Sequence, residues 1–260
     1  MKLTVHSKLC YAFEKPSEVL LLVEAARSPD QAVGRETLRF TPGLDFTRID
    51  DGASGERRVV FTGEGEVTID YRAEVETLLR DDDLTDAPAA AIRDLPGEAL
   101  PYLRASRYCP SDRFEPFVER EFAHLAGGAR AQAMIDWIRA HVDYRIGSSS
   151  AASTADDTFV DRCGVCRDFA HLALTLLRAG DIPARAIGAY AWKLKPPDFH
   201  AVIEAWLGGR WRLVDVTGLA PVEGLVRIAT GRDAADIAFM TIFGQARMLS
   251  QAVEVKARRG

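Results

Sequence analysis

A chain of 260 residues that is 47% apolar and carries a net charge of −5 is long enough for two modest domains with real cores, and it shows no broad basic face for nucleic acid. Four cysteines are too few for a disulfide scaffold and suit a reducing compartment. Met1-Lys2-Leu3-Thr4-Val5-His6 lacks the apolar core of a signal peptide and no run approaches the length of a membrane helix, so the expectation is a cytoplasmic protein without membrane contact.

The pattern of elements changes near residue 80. Residues 2–77 carry short β-rich runs, among them Val19–Val23, Arg58–Thr62 and Val67–Tyr71, separated by turn clusters at Asp50-Asp51-Gly52 and Ser54-Gly55. They predict a small antiparallel β domain over residues 1–80. From Asp81-Asp82-Asp83 to Pro96-Gly97 the chain is polar and proline-punctuated, a connector with one helical turn around Ala89–Arg93. Helical patterns follow at Phe114–Leu125 and, after Gly127-Gly128, at Ala131–Val142. Ser148-Ser149-Ser150 then opens a flexible approach to a further helix. Helices followed by strands predict an α+β core over residues 81–260.

That further helix opens within Cys163-Gly164-Val165-Cys166-Arg167-Asp168-Phe169-Ala170-His171. Phe169, Ala170, Ala173, Leu176 and Leu177 form an apolar stripe at helical spacing, closed by Gly180 and Pro183, so Cys166 falls in the first turn. Unpaired N–H groups and the positive end of the dipole stabilise a thiolate there and can hold an oxyanion. Downstream, Phe199–Leu207 and Arg210–Thr217 are strand-like runs joined by Gly208-Gly209, a two-residue hairpin signal. Pairing Leu207 with Arg210 sets Val202 opposite Asp215 and His200 opposite Thr217. His200 and Asp215 then become diagonal neighbours on one face, about 7 to 8 Å apart between Cα atoms. A one-residue slip would send Asp215 to the other face. Cys166, His200 and Asp215 are thus the parts of a nucleophilic site, in which the imidazole takes the thiol's proton and the carboxylate fixes the ring's tautomer and orientation.

Several of these segments, in this order, resemble the core of the bacterial transglutaminase-like family. They are Gly164-Val165-Cys166-x-Asp168-Phe169-Ala170-His171-Leu172, Arg178-Ala179-x-x-Ile182-Pro183-Ala184-Arg185, His200-Ala201 and Trp211-x-x-x-Asp215-x-Thr217. Gly231-Arg232-Asp233-Ala234-Ala235-Asp236 with Phe239-Met240-Thr241 also resembles a segment that follows the triad in bacterial members. The resemblance covers about residues 140 to 245, and the strand-rich beginning is similar to the family's N-terminal β region. It implies a papain-like core in which the nucleophile, at a helix N-terminus, packs on an antiparallel sheet, with Cys166, His200 and Asp215 as catalytic residues. It further implies attack on a carboxamide or peptide carbonyl and a cysteinyl thioester. An amine resolves that thioester in acyl transfer; water resolves it in a protease, amidase or deamidase. The implied partners are a peptide or protein substrate and, for transfer, a primary-amine acceptor. No metal or organic cofactor is implied, and nothing in the sequence looks like a calcium loop.

Three positions depart from the family pattern: Arg167 where Gln is common, Val202 where an aromatic is common, and Val216 where Pro is common. None removes a triad group. They bear on substrate preference, because Arg167 sets a cation beside the nucleophile and Val202 leaves a smaller wall near the imidazole.

Each residue also has a plainer reading. Cys166 alone reads as a buried structural thiol, His200 alone as a satisfied histidine and Asp215 alone as a turn or cap residue. Cys163 and Cys166 make a Cys-x-x-Cys, which raises zinc ligation and thioredoxin-type redox chemistry. Zinc would need a second spaced pair, and Cys10 and Cys109 are isolated; the redox motif would need an early βαβ unit, and helices precede it here. A disulfide between Cys163 and Cys166 under oxidative stress is a milder expectation. Asp168 suits a helix cap, His171 packing or hydrogen bonding within the fold more than a second base, and Glu204, on the His200 face, a structural hydrogen bond more than a contact with substrate. Tyr144, Trp206 and Trp211 fit either the acyl cleft or aromatic core packing. The alternative to an enzyme is a non-catalytic peptide-binding module on the same fold, whose usual mark, a missing triad residue, is absent from this sequence.

Overall fold

The computed structural model describes residues 1–50, 54–78, 80 and 83–258. In chain order run β1 (Lys2–Leu21), β2 (Gln31–Thr41), β3 (Phe46–Asp50), β4 (Arg57–Thr77), α1 (Glu115–Phe122) and α2 (Gly127–His141). There follow β5 (Asp143–Tyr144), α3 (Ala155–Asp161), β6 (Cys163–Gly164), α4 (Cys166–Ala179), β7 (Ala184–Ala191), β8 (Phe199–Leu207) and β9 (Arg210–Val214). The chain ends with β10 (Leu225–Gly231), α5 (Ala234–Ile237), β11 (Met240–Phe243) and β12 (Ala246–Ala257). Among the described residues the strands make a six-stranded sheet, a four-stranded sheet ordered β10-β7-β8-β9 and a parallel pair β5-β6.

β1 and β4 form the spine of the large sheet, antiparallel from Lys2↔Glu76 to Leu21↔Val59. Their period-2 pattern buries Leu3, Val5, Leu9, Tyr11 and Phe13 against Val67, Ile69, Tyr71, Ala73 and Val75. The ladder slips between Phe13 and Ser17, so Pro16, which has no N–H to give, falls where pairing is interrupted. The free edge of β1 is taken by β12, from Leu3↔Ala257 to Phe13↔Ala246, and by β11, from Glu18↔Phe243 to Leu21↔Met240. Residues 240–257 therefore belong to the sheet of residues 2–77, whereas the expected division placed all of 81–260 in the catalytic unit. Asp51 and Gly52 of the expected turn, and Asp81 and Asp82 of the expected connector, lie outside the described residues.

The α+β expectation holds. α4 is the central helix: Phe169, Leu172, Leu174, Leu176 and Leu177 are all buried, so apolar side chains surround it as in an enclosed helix. Each such side chain contributes roughly 1.5–3 kcal/mol by leaving water. α4 contacts α2 and α3 as well as β7 and β8. Ala184 and Ala186 of β7 and Ile203, Ala205 and Leu207 of β8 share its cluster. The alternating residues Ile187, Ala189 and Val202 join Leu213 in a second cluster on the opposite face of that sheet. Buried Arg178, in the last turn of α4, donates to the carbonyls of Ala184 and Arg232, tying helix, sheet and the loop beyond β10 together.

α3 occupies part of the stretch expected to be a flexible approach. Thr154 starts it, donating its N–H and hydroxyl to Asp157 at 2.8 and 2.9 Å. Among the described residues no helix is long and apolar enough to cross a membrane.

Candidate active site

The hairpin register matches the count from its turn. Gly208 and Gly209 adopt φ of +61° and +77°, the left-handed geometry a two-residue turn requires. Leu207 pairs with Arg210 and Ile203 with Val214, after which β9 ends. The next residue, Asp215, meets the histidine: His200 Nε2 stands 3.0 Å from Asp215 Oδ2, both residues being buried. The carboxylate is held from its other sides as well. Oδ1 accepts from the Thr217 N–H at 2.9 Å and hydroxyl at 2.7 Å, and Oδ2 accepts from the Ala220 N–H at 2.9 Å. Arg139 of α2 donates to the main-chain carbonyls of Asp215 and Val216, fixing the turn itself.

Burial would raise the Asp215 carboxyl, but the bonds from His200, Thr217 and Ala220 hold it below its ordinary value. Burial likewise pulls the His200 imidazole down. Asp215 and the adjacent Cys166 thiol more than reverse that, and the ring is raised to about 9. With Nε2 committed to Asp215, buried Nδ1 has no hydrogen-bond partner among the described residues and is the nitrogen left for the thiol.

Cys166 is the first residue of α4, as expected. Val165 precedes it in extended conformation, and its N–H donates to Asp168 Oδ2 at 2.8 Å. Gly164 permits this tight entry, since a Cβ there would lie 2.6 Å from that of Asp168. Buried Asp168 also accepts from the Ser149 hydroxyl. Arg167 lines the cleft beside Cys166, and its guanidinium donates to the Ser150 carbonyl at 2.7 Å, to Ser149 at 3.1 Å and to Asp168 at 3.3 Å. The cation expected beside the nucleophile is thus at the cleft, and it also straps the 148–153 loop.

Tyr144 enters through β5, which pairs it with Gly164. Its hydroxyl lies beside the N–H and thiol of Cys166; although the residue as a whole is 39% exposed, partial desolvation first, and the neighbouring sulfur second, raise the phenol to about 12. A cleft of about 400 Å³ runs past Cys166 and His200 and is lined chiefly by apolar side chains, among them Leu22, Ile228, Phe239 and Met240. Sequence reasoning missed this wall as a site component, although Phe239-Met240-Thr241 had stood out as a motif.

The remaining candidates lie elsewhere. His171 stacks on Tyr108 with ring centroids 4.9 Å apart and accepts from the Ala234 N–H, and burial lowers it to about 4. Glu204 is buried in ion pairs of 2.6 Å with both Arg185 and Arg227. Trp206 and Trp211 do not line the cleft; they pack edge to face near the hairpin turn, with Arg185 over the Trp211 ring. Trp206 lies six residue steps along the strand from His200, about 20 Å. All four cysteines are free thiols, and Cys163 sits half-buried on β6. Among the described residues no group of three or more His, Cys, Asp or Glu side chains could hold a metal ion.

Comparison with known proteins bears on the family. Residues 118–216 match the model of the transglutaminase-like superfamily. The chain is 34% identical over 110 residues to the protein ML0607 of Mycobacterium leprae, and 28% identical over 109 residues to Rv2569c of Mycobacterium tuberculosis. The first match spans 39% of either chain, the second 36% of this chain and 35% of the other, so well under half of these curated relatives is covered. A solved structure described as "a Putative Cysteine Protease from Cytophaga hutchinsonii" superimposes with a TM-score of 0.93 at 38% identity, over 98% of this chain and 90% of that one. On that near-complete match and the family model, the chain belongs to the transglutaminase-like superfamily.

Proposed function

We propose that this protein is a thiol enzyme that attacks a carboxamide or peptide carbonyl through a cysteinyl thioester, with Cys166, His200 and Asp215 as its triad. The observation that carries the reading is the His200 ring, bonded through Nε2 to Asp215 at 3.0 Å and left with an unpaired, buried Nδ1 on the thiol side.

His200 Nδ1 takes the proton of Cys166, and the positive end of α4 and the raised imidazole both favour the resulting ion pair. The thiolate attacks the carbonyl carbon, forming a C–S bond and an oxyanion. The Cys166 N–H and the neighbouring Tyr144 hydroxyl are the donors assigned to that oxygen in this reading. The C–N bond then breaks as His200 gives its proton to the departing amine or ammonia. Water, deprotonated by His200, attacks the thioester and releases a carboxylate, regenerating the thiol. A primary amine arriving in its place forms a new amide. The near-complete match to the Cytophaga hutchinsonii chain supports hydrolysis of a peptide or protein as the principal outcome. A cytoplasmic setting fits the four free thiols.

Alkylation by iodoacetamide, followed by peptide mass spectrometry, tests the reading. Cys166 is expected to react at neutral pH at least tenfold faster than Cys163, and His200→Ala to abolish that difference. Equal, slow alkylation of both cysteines in the unaltered protein would refute an assembled triad.

A further inference from the structure

We propose that the cleft beside Cys166 is an apolar subsite for the acyl donor, built by the segment after the triad together with the end of β1. The enzyme therefore selects substrates with a bulky apolar side chain within two residues of the attacked carbonyl. The proposal rests on the thiol-enzyme reading above and extends it to substrate class.

The floor of the cleft is Leu22, Ile228 and Ile237, each at most 9% exposed. Its walls are Phe199, Phe239 and Met240, half-buried side chains that leave apolar surface facing the space. Phe199 directly precedes His200, and its ring stacks on Phe239 with centroids 4.6 Å apart and planes 13° from parallel. Such a surface gains by excluding water and offers no hydrogen bonds to a polar side chain.

The wall is tied into the fold from both sides. The Leu22 N–H donates to the Phe239 carbonyl at 2.8 Å, and Met240 pairs with Leu21 in the β1–β11 ladder. On the other side, Asp233 accepts from the N–H groups of Ala235 and Tyr108, and the Ala234 N–H donates to His171 of α4. The helix that carries the nucleophile and the segment that forms the wall are thereby fixed to each other, so little ordering remains to oppose binding. This gives Gly231–Thr241, a motif the triad leaves unexplained, and the large sheet one shared role.

The charged groups at the cleft are already engaged. Arg167 is tied to Ser149, Ser150 and Asp168, and Asp198 accepts from Gln251 and from the Phe199 N–H. A space of about 400 Å³ is at the small end of ligand sites, enough for one or two side chains.

The test uses N-acetyl dipeptidyl chloromethyl ketones, whose chloride the Cys166 thiolate displaces to leave a thioether. Leu, Phe, Asp and Lys are placed in turn at each residue. The Leu or Phe probe is expected to label Cys166 about ten- to hundredfold faster than the Asp and Lys probes at one position at least, the discrimination one buried side chain supplies. Met240→Glu is expected to reduce that preference below about threefold, with circular dichroism reporting the fold. The ranking in the unaltered protein needs no variant. Iodoacetamide separates the two readings: if His200→Ala slows it while all probes react alike, the subsite proposal is overturned and the triad stands. If His200→Ala leaves it unchanged, the triad fails and the proposal with it.

Discussion

His200 Nε2 meets Asp215 Oδ2 at 3.0 Å one residue after β9 has ended, so the carboxylate is held by a turn rather than by the sheet. The ladder delivers Asp215 to the right side of the hairpin, and Thr217 and Ala220 then aim it at the ring. This explains the spacing Asp-x-Thr: the threonine two residues on satisfies one oxygen, leaving the other for the histidine. The imidazole is thereby fixed in the tautomer that presents Nδ1 to the thiol.

Replacing Asp215 by Asn keeps the side chain's shape and removes its charge. The His200 ring loses its strongest proton-holding partner, and the ion pair with Cys166 is weakened. Turnover measured as kcat is expected to fall by about 10²–10⁴-fold with KM little changed. Iodoacetamide labelling of Cys166 at pH 7 should fall in parallel. Unchanged labelling would mean that Asp215 does not act through the imidazole.

The pH dependence follows from His200. Burial lowers the ring, and the bond to Asp215 together with the neighbouring Cys166 thiol raises it to about 9. Acylation needs that proton for the departing amine, so turnover is expected to decline as pH rises through about 9. Alkylation by iodoacetamide needs no acid and should not decline there. The same proton stabilises the fold. Its folded value lies above the unfolded value of about 6.5, so the stabilisation is complete below pH ~6.5 and is lost as pH rises from there through about 9. Thermal melts across that range should show a fall in Tm that is smaller in His200→Gln.

Much of the site was legible in the sequence because it depends on local rules. Gly208-Gly209 sets the hairpin register by counting, and the stripe from Phe169 to Leu177 sets the start of α4. The cleft wall was not legible in the same way. It needs Met240 beside Leu21 and Ala257 beside Leu3, pairings across more than two hundred residues that no short-range pattern encodes. α3 was hidden because its polar, serine-led approach reads as a loop, while its stability comes from the Thr154–Asp157 cap and from packing on α4. Arg167 was legible in part for a related reason: sequence shows a cation next to Cys166 but not the Ser150 carbonyl that it also holds.

Tyr144→Phe tests the oxyanion donors. The ring would keep its contact with Phe169, whose centroid is 5.8 Å away, so the packing should survive. Only the hydroxyl beside Cys166 is lost. A fall in kcat of about 10- to 100-fold with KM unchanged is expected, somewhat below the loss measured for a principal oxyanion donor. Alkylation, which forms no oxyanion, should be nearly unaffected. A change confined to KM would place Tyr144 in ground-state binding.

Asp168 and Asp157 occupy the same position, the third residue of a helix, with different consequences. Asp157 is a local cap on the exposed end of α3, bonded among the described residues only to Thr154. Buried Asp168 holds the Val165 N–H, the Ser149 hydroxyl and the Arg167 guanidinium, so it joins the first turn of α4 to the 148–153 loop. Asp157→Ala is therefore expected to cost about 0.5–1 kcal/mol and to leave Cys166 labelling unchanged. Asp168→Ala is expected to cost about 1–3 kcal/mol, because buried donors lose their acceptor. It should also speed hydrogen exchange across residues 148–153 and slow alkylation of Cys166. Urea unfolding gives the two stabilities, and exchange mass spectrometry shows whether the loop loosens with the helix end. If Asp168→Ala destabilises the protein while exchange in the loop and labelling of Cys166 stay as before, the carboxylate is a cap alone and the loop is held by other contacts.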